Sequence, residues 1–304
     1  MGRRPSAADI PERRDLPAGA GHAPRRRLNE STEVPVCKIT MPAHSPETFP
    51  GIARREDGPP RGPGRVRVIN LDRTPDRLLA FARANPGLAY DRFPAIDGVQ
   101  LGRDAAIAAG AIAPDNTYRP GAVGCAMSHI ALWRECAAGA EPFCVAEDDA
   151  ILRADFANAA ARALEGIGDW DIVLWTWNFD MPLQLDLGGG LATAHLLQDL
   201  DAIRAPGAVD RFRAARDPAL LSPLRGASGT ACYSVSPIGA ARLLAASLPI
   251  GAQPIPAPLQ PGVALANTGI DVELSRHYPQ LRAFAAVPPL AVTLIDPAAT
   301  TVQV

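Results

Sequence analysis

Apolar and charged positions alternate from Arg65 to Val68 before the chain turns apolar towards Leu71, which predicts a first strand. Thr74 is placed to cap a helix and Pro75 suits its first turn, while Leu78, Leu79, Phe81 and Ala82 give it an apolar face. Asn85-Pro86-Gly87 ends that helix. Residues 89–95 read as a second strand closed by the turn Ile96-Asp97-Gly98, and 104–112 as a short helix. Gly121–Ala138 is apolar around most of its circumference, the pattern of a buried helix. Pro142–Ala146 is a short, continuously apolar strand of the kind parallel or mixed sheets bury on both faces. Further on, 157–164 reads as helix, Asp171–Trp177 and Thr230–Val235 as strands, and Pro237–Leu244 as helix; another helix starts within 268–274. Periodicity fades over 181–226, and 249–268, with five prolines, reads as a long loop. Strands alternating with helices predict an α/β sandwich.

Composition narrows the function classes. The 304 residues are 47% apolar and 20% charged, with a net charge of −2, which is ordinary for a soluble globular protein and leaves no chain-wide basic footprint for nucleic acid. No stretch approaches the ~18 consecutive apolar residues of a membrane span. Residues 1–64 differ from the rest: they hold 11 basic and 8 acidic side chains, 11 Pro and 7 Gly, and Phe49 as their one aromatic. Such a segment buries too little apolar surface to offset chain entropy, so 1–64 is expected to be a disordered tail and 65–304 the folded domain. The tail lacks the apolar core of a signal peptide. Its arginine runs (Arg13-Arg14, Arg25-Arg26-Arg27) suit at most peripheral contact with anionic lipid. None of the five cysteines forms a C-x-x-C pair, which fits unpaired thiols in a reducing, cytoplasmic compartment better than a disulfide frame or a zinc site.

The strongest chemical signal is Glu147-Asp148-Asp149, directly after the apolar strand. In extended geometry residues 147 and 149 share one side and 148 takes the other. Two carboxylates crowded at a strand end repel unless a cation lies between them. Hard divalent ions such as Mn²⁺ or Mg²⁺ favour that oxygen environment. Open α/β sheets also bind ligands beyond the carboxyl ends of their strands. The same residues would fit an exposed acidic turn, but apolar flanks on both sides, ending in Ala150-Ile151-Leu152, favour the metal. A cation bridging a diphosphate stabilises a nucleotide as leaving group. Neither a Walker loop nor a G-x-G-x-x-G fingerprint is present, so ATPase and dehydrogenase readings find no support.

The order of segments resembles glycosyltransferase family 25, which includes lipopolysaccharide and lipooligosaccharide sugar transferases and collagen galactosyltransferases. Four blocks carry the resemblance: Val68-Ile-Asn-Leu-Asp-Arg73 with Asp76-Arg77, Phe93-Pro-Ala-Ile-Asp-Gly98, Gly121-Ala-Val-Gly-Cys-Ala-Met-Ser-His-Ile-Ala-Leu-Trp133, and Ala146-Glu-Asp-Asp-Ala150. A weaker fifth comprises Gly229-Thr-Ala-Cys-Tyr233 with Ile270-Asp271. The family's acidic residue before the Gly-Cys pair is replaced here by Ala122-Val123. The resemblance implies a GT-A-like nucleotide-sugar-binding fold with a mixed, Rossmann-like central sheet. It also implies a metal-dependent, inverting transfer of a hexose such as galactose from a UDP-sugar to a cell-surface glycan or glycolipid. By the same resemblance Glu147 and Asp149 hold the metal, and Asn70, Asp72, Arg77, Asp97, Ser128, His129 and Asp148 form the donor site.

Alternatives stand beside several of these residues. Arg77 could grip a diphosphate bidentately or pair with Asp97 or Asp72. Asn70 could read a uracil edge or form a turn. Asp148 could bond a ribose hydroxyl or a backbone amide. His129, on a buried helix, suits a structural or donor-pocket role better than that of a general base. Trp175 and Trp177 could stack on a sugar, though core packing is the simpler reading. An inverting transfer needs a base at the acceptor hydroxyl; Asp271, Asp180 and His277 are the candidates, and Asp271 matches the family's late Asp. It joins Asp149 in the catalytic set. Two other classes compete: a metal-dependent phosphoesterase built on the same carboxylates, and a non-catalytic nucleotide-sugar-binding module.

Overall fold

The computed structural model describes residues 62–178, 181–260 and 262–294. The expected disordered tail lies outside the described residues up to Arg61, as does Asp180.

Strand β1 (Arg65–Asn70) leads into α1 (Pro75–Ala84), with Pro75 at its first turn, and into β2 (Asp91–Pro94). The Ile96-Asp97-Gly98 turn opens a short helix α2 (Gly98–Leu101), because the Asp97 carboxylate accepts the Val99 amide at 3.0 Å. After α3 (Arg103–Ala108) comes α4 (Pro120–Ala138), buried along most of its length as its composition requires. Then follow β3 (Phe143–Glu147), β4 (Ile151–Leu152), α5 (Phe156–Glu165) and β5 (Ile172–Leu174).

The stretch 181–226, without visible period in sequence, is structured. It holds β6 (Leu183–Leu187), β7 (Ala192–Leu196), the short helices α6 (Leu200–Arg204) and α7 (Ala208–Ala214), and β8 (Leu220–Gly226). The helices have five and seven residues and bury none of them, too short for an apolar stripe to register. Next come β9 (Cys232–Val235) and α8 (Pro237–Ser247). The proline-rich loop that follows carries a small ribbon, β10 (Ile255–Pro256) with β11 (Ala264–Leu265). Helix α9 (Ile270–His277), β12 (Ala283–Val287) and β13 (Ala291–Val292) complete the described chain.

The central sheet runs β2-β1-β3-β9-β5-β12-β8-β6-β7. β1 is parallel to β2 and β3, and β12 to β5, whereas β9 is antiparallel to both of its neighbours, β3 and β5. The carboxyl ends of β1, β2 and β3 therefore share one edge with the amino end of β9. This mixed, nine-stranded α/β sheet agrees with the expected GT-A-like fold.

Alternate side chains supply two cores. Val145, Ile172, Leu174 and Tyr233 pack on the side of α4 and α8, whereas Val68, Cys144, Val173 and Cys232 pack on the side of Phe81 from α1 and Phe156 from α5. Fully buried Ile130, Leu132 and Trp133 show what anchors α4, each side chain contributing about 1.5–3 kcal/mol of transfer free energy. Trp175 and Trp177 join opposite cores, because β5 ends at Leu174 and strand alternation stops there. Both are buried, and Trp175 Nε1 donates to Ser234 Oγ at 2.8 Å, so neither offers a face to a sugar. A Cβ on Gly98 would meet Pro120 O at 1.8 Å, and one on Gly124 would meet Ile96 O at 2.4 Å. The two glycines thus let the start of α2 touch the α4 backbone.

Candidate functional site

Glu147 is the last residue of β3, and the chain bends immediately after it, with the Ala150 amide donating to Glu147 O at 3.0 Å. The extended geometry expected across 147–149 therefore stops at Glu147, and the three carboxylates part. Glu147, with its side chain 25% exposed, accepts from Thr230 Oγ1 at 2.7 Å and faces His129 Nε2 at 3.6 Å. Burial works against its charge, but the neighbouring His129 imidazole, the Thr230 hydroxyl and Arg77 outweigh it and hold the carboxyl below its ordinary range. Asp149 is 45% exposed at the rim, 3.8 Å from Arg77. Desolvation by the surrounding protein first, and then the charge of Glu147, push its carboxyl upward, less than full burial would at that exposure, with Arg77 pulling the other way. The negative charge of Glu147 that bears on Asp149 is what a divalent cation would relieve, and carboxylate oxygens are the ligand type Mn²⁺ and Mg²⁺ favour.

Asp148 turns inward. It accepts from Asn70 Nδ2 at 2.7 Å and from Arg77 Nε at 2.8 Å. Arg77 thus pairs with Asp148 rather than with Asp97 or Asp72. Asn70 is 2% exposed, and its amide also donates to Thr74 O at 3.1 Å and accepts from Arg92 Nε at 3.0 Å. With both amide protons engaged inside the protein, Asn70 supports Asp148 and has no donor left for a base edge. Asp148 in turn gives an acceptor site on each of its oxygens to these partners.

A cleft lies at this sheet edge, enclosing about 60 Å³ and about 550 Å³ with its open mouth. Arg73, Arg77, Asp97, Cys125, His129, Glu147 and Asp148 line it; Asp72, Asp149 and Asp271 do not. Asp72 points away, its exposed carboxylate paired with Arg92. Arg73 takes the place at the cleft, its Nε 2.8 Å from Asp97 Oδ2. That contact holds the Asp97 carboxyl below its usual range, helped by the Val99 amide. Arg73 and Cys125 were not singled out from sequence. For Cys125 the available signal was its i, i+4 spacing from His129 on one helix. Ser128 and Asn70 also border the cleft, but the Ser128 hydroxyl donates to Gly124 O at 2.8 Å and accepts the Ile96 amide at 2.9 Å, tying the end of β2 to α4.

Asp271 sits in the first turn of α9 and accepts from Ser228 Oγ at 2.6 Å and from the Gly229 amide at 3.1 Å. Gly229 has φ +102°, and a Cβ there would meet Asn178 at 2.6 Å, so the segment needs glycine. Ser228–Thr230 thereby holds Asp271 at one end and Glu147 at the other. His277 is buried and bonded to Glu273 at 2.9 Å, which removes it as a base at the acceptor.

Among the described residues, no helix is long and apolar enough to cross a membrane. No curated protein matches the chain. Residues 65–256 match the family description "Glycosyltransferase family 25 (LPS biosynthesis protein)", a span that takes in four of the five sequence blocks and the first part of the fifth. The chain belongs to glycosyltransferase family 25, and family membership implies a sugar donor and a glycan or lipopolysaccharide acceptor.

Proposed function

We propose that this protein transfers a hexose such as galactose from a UDP-sugar to a cell-surface glycan or lipopolysaccharide acceptor, with inversion and with a divalent cation. The observation that carries this reading is the acidic turn Glu147-Asp148-Asp149 at the carboxyl edge of the parallel strands, with Arg77 beside it. Glu147 and Asp149 are the residues that would hold Mn²⁺ or Mg²⁺, which when bound neutralises charge on a departing diphosphate. Arg73 and Arg77 add fixed positive charge to the cleft that Glu147 lines. Asn70 and Asp148 hold Arg77 in place. Asp271 is the base of choice: Ser228 and Gly229 fix one carboxylate oxygen, and the other takes the proton of the acceptor hydroxyl. A cytoplasmic site of action, with at most peripheral contact at the inner membrane face, accords with an activated-sugar donor.

Membership of a glycosyltransferase family favours this reading over a phosphoesterase. The test is a thermal-shift series with nucleotide-sugars. UDP-sugars are expected to raise the melting temperature only with Mn²⁺ or Mg²⁺ present, and Asp149→Asn is expected to abolish the rise. UDP affinity indifferent to both chelator and Asp149→Asn would overturn the proposal. Binding without turnover across an acceptor panel would instead favour a non-catalytic module.

A further inference from the structure

Cys125 and His129 lie one turn apart on α4 and so share a helix face. That face meets the end of β3, where the ligand atoms of Cys125, His129 and Glu147 all lie within 4.8 Å of one another. Within this group, Glu147 Oε1 and His129 Nε2 are 3.6 Å apart, a spacing suited to two ligands of one small cation. His129 is fully buried, and its Nε2 has no hydrogen-bond partner. Leaving a buried ring nitrogen unpaired is costly unless something else occupies it. The other ring nitrogen is bound, with Nδ1 2.9 Å from the Tyr233 hydroxyl, which also accepts from Trp133 Nε1 at 2.8 Å. The phenol oxygen has two lone pairs, so it can take both N–H groups; a cation between Nε2, Glu147 and Cys125 then stands in place of the proton that Nε2 would otherwise turn towards Glu147. Metal-ligating histidines are held in this way, with the far N–H donated to a fixed partner.

We propose that Cys125, His129 and Glu147 form a second cation site, specific for borderline-soft divalent ions of the zinc class. A thiolate, an imidazole and a carboxylate are the ligand types Zn²⁺ takes in four-coordinate sites, whereas Mg²⁺ and Mn²⁺ favour oxygen. All three residues line the cleft, which gives the ion an entry path and leaves the fourth position open to it. The site shares Glu147 with the hard-ion pair Glu147 and Asp149, so a zinc-class ion and Mn²⁺ compete for one carboxylate. The inference stands on side-chain geometry alone and does not rest on the transferase reading.

The probe is Co²⁺ added to the full-length, chelator-treated chain. Expected are a thiolate-to-cobalt charge-transfer band in the near ultraviolet and tetrahedral visible bands, both bleached by Zn²⁺. Cys125→Ser, checked as folded by its thermal melt, loses the charge-transfer band and binds Zn²⁺ at least about tenfold more weakly. Cys125→Ala serves if the serine variant does not fold. Asp149→Asn keeps the band, which separates this site from the hard-ion pair. Co²⁺ binding without the charge-transfer band would overturn the proposal, as it would if His129 keeps a proton on Nε2. A band that survives in both Cys125 variants would overturn it too, by tracing the thiolate to another cysteine. An intact band with no Mn²⁺-dependent UDP binding would remove the metal-dependent UDP-sugar reading and leave this one standing.

Discussion

Asn70 joins three segments through one amide: Asp148 from the acidic turn, Thr74 from the start of α1, and Arg92 from β2. Its replacement by alanine takes the acceptor from Arg92 Nε, whose terminal nitrogen keeps the residue-70 carbonyl and Asp72, and takes from Asp148 the amide on one carboxylate oxygen. Hydrogen bonds to charged groups contribute about 1.5–3 kcal/mol, so Asn70→Ala is expected to cost roughly that much. The measurement is a urea titration in which the midpoint falls while the slope is unchanged. At this scale the sequence shows which residue types gather but not which way they face. Glu147, Asp148 and Asp149 are legible because three carboxylates after a buried strand need a reason. Their directions are not, because the bend after Glu147 depends on Arg77 and Asn70, more than 70 residues away in the chain. For the same reason Arg73 lines the cleft where Asp72 was expected, since Arg92 and Asp97 select their partners across the sheet.

Among the elements, α4 was readable from its composition, and its contact with α2 shows what Gly124 does. Gly124→Ala puts a methyl group 2.4 Å from Ile96 O, a backbone atom with little freedom to retreat. Overpacking of this kind costs about 1–3 kcal/mol, and a lowered melting temperature with reduced nucleotide-sugar binding is the expected result. Helix α2 also carries a pH signature. Arg73 and the Val99 amide lower the Asp97 pKa in the folded state. The stabilisation is therefore complete above the carboxyl's unfolded value, about 3.9, and is lost as pH falls through the lower folded value. Acid titration of stability is expected to flatten in that window in Arg73→Gln; equal slopes for the two proteins would refute the pairing. What sequence periodicity missed, β6 to β8 with α6 and α7, consists of short pieces. Strand β7 is half exposed, and β8 contains a proline, so neither shows a clean two-residue period.

Across the whole molecule, the α/β class and the order of the first elements could be read from hydrophobic patterning, but the sheet's strand order could not. β12 lies between β5 and β8, and its alanine-rich sequence gives little sign of a strand. Strand order is set by pairings between distant segments, and no local window contains them. One such pairing has a further consequence. β9 separates β3 from β5 and joins them, yet it is made roughly 60 residues after β5. A ribosome that has released the first five strands has therefore delivered two open sheet margins and no seam. Until the seam arrives, those margins are available to any neighbouring polypeptide. Correct biogenesis thus turns on prompt delivery of a four-residue strand from the later part of the chain.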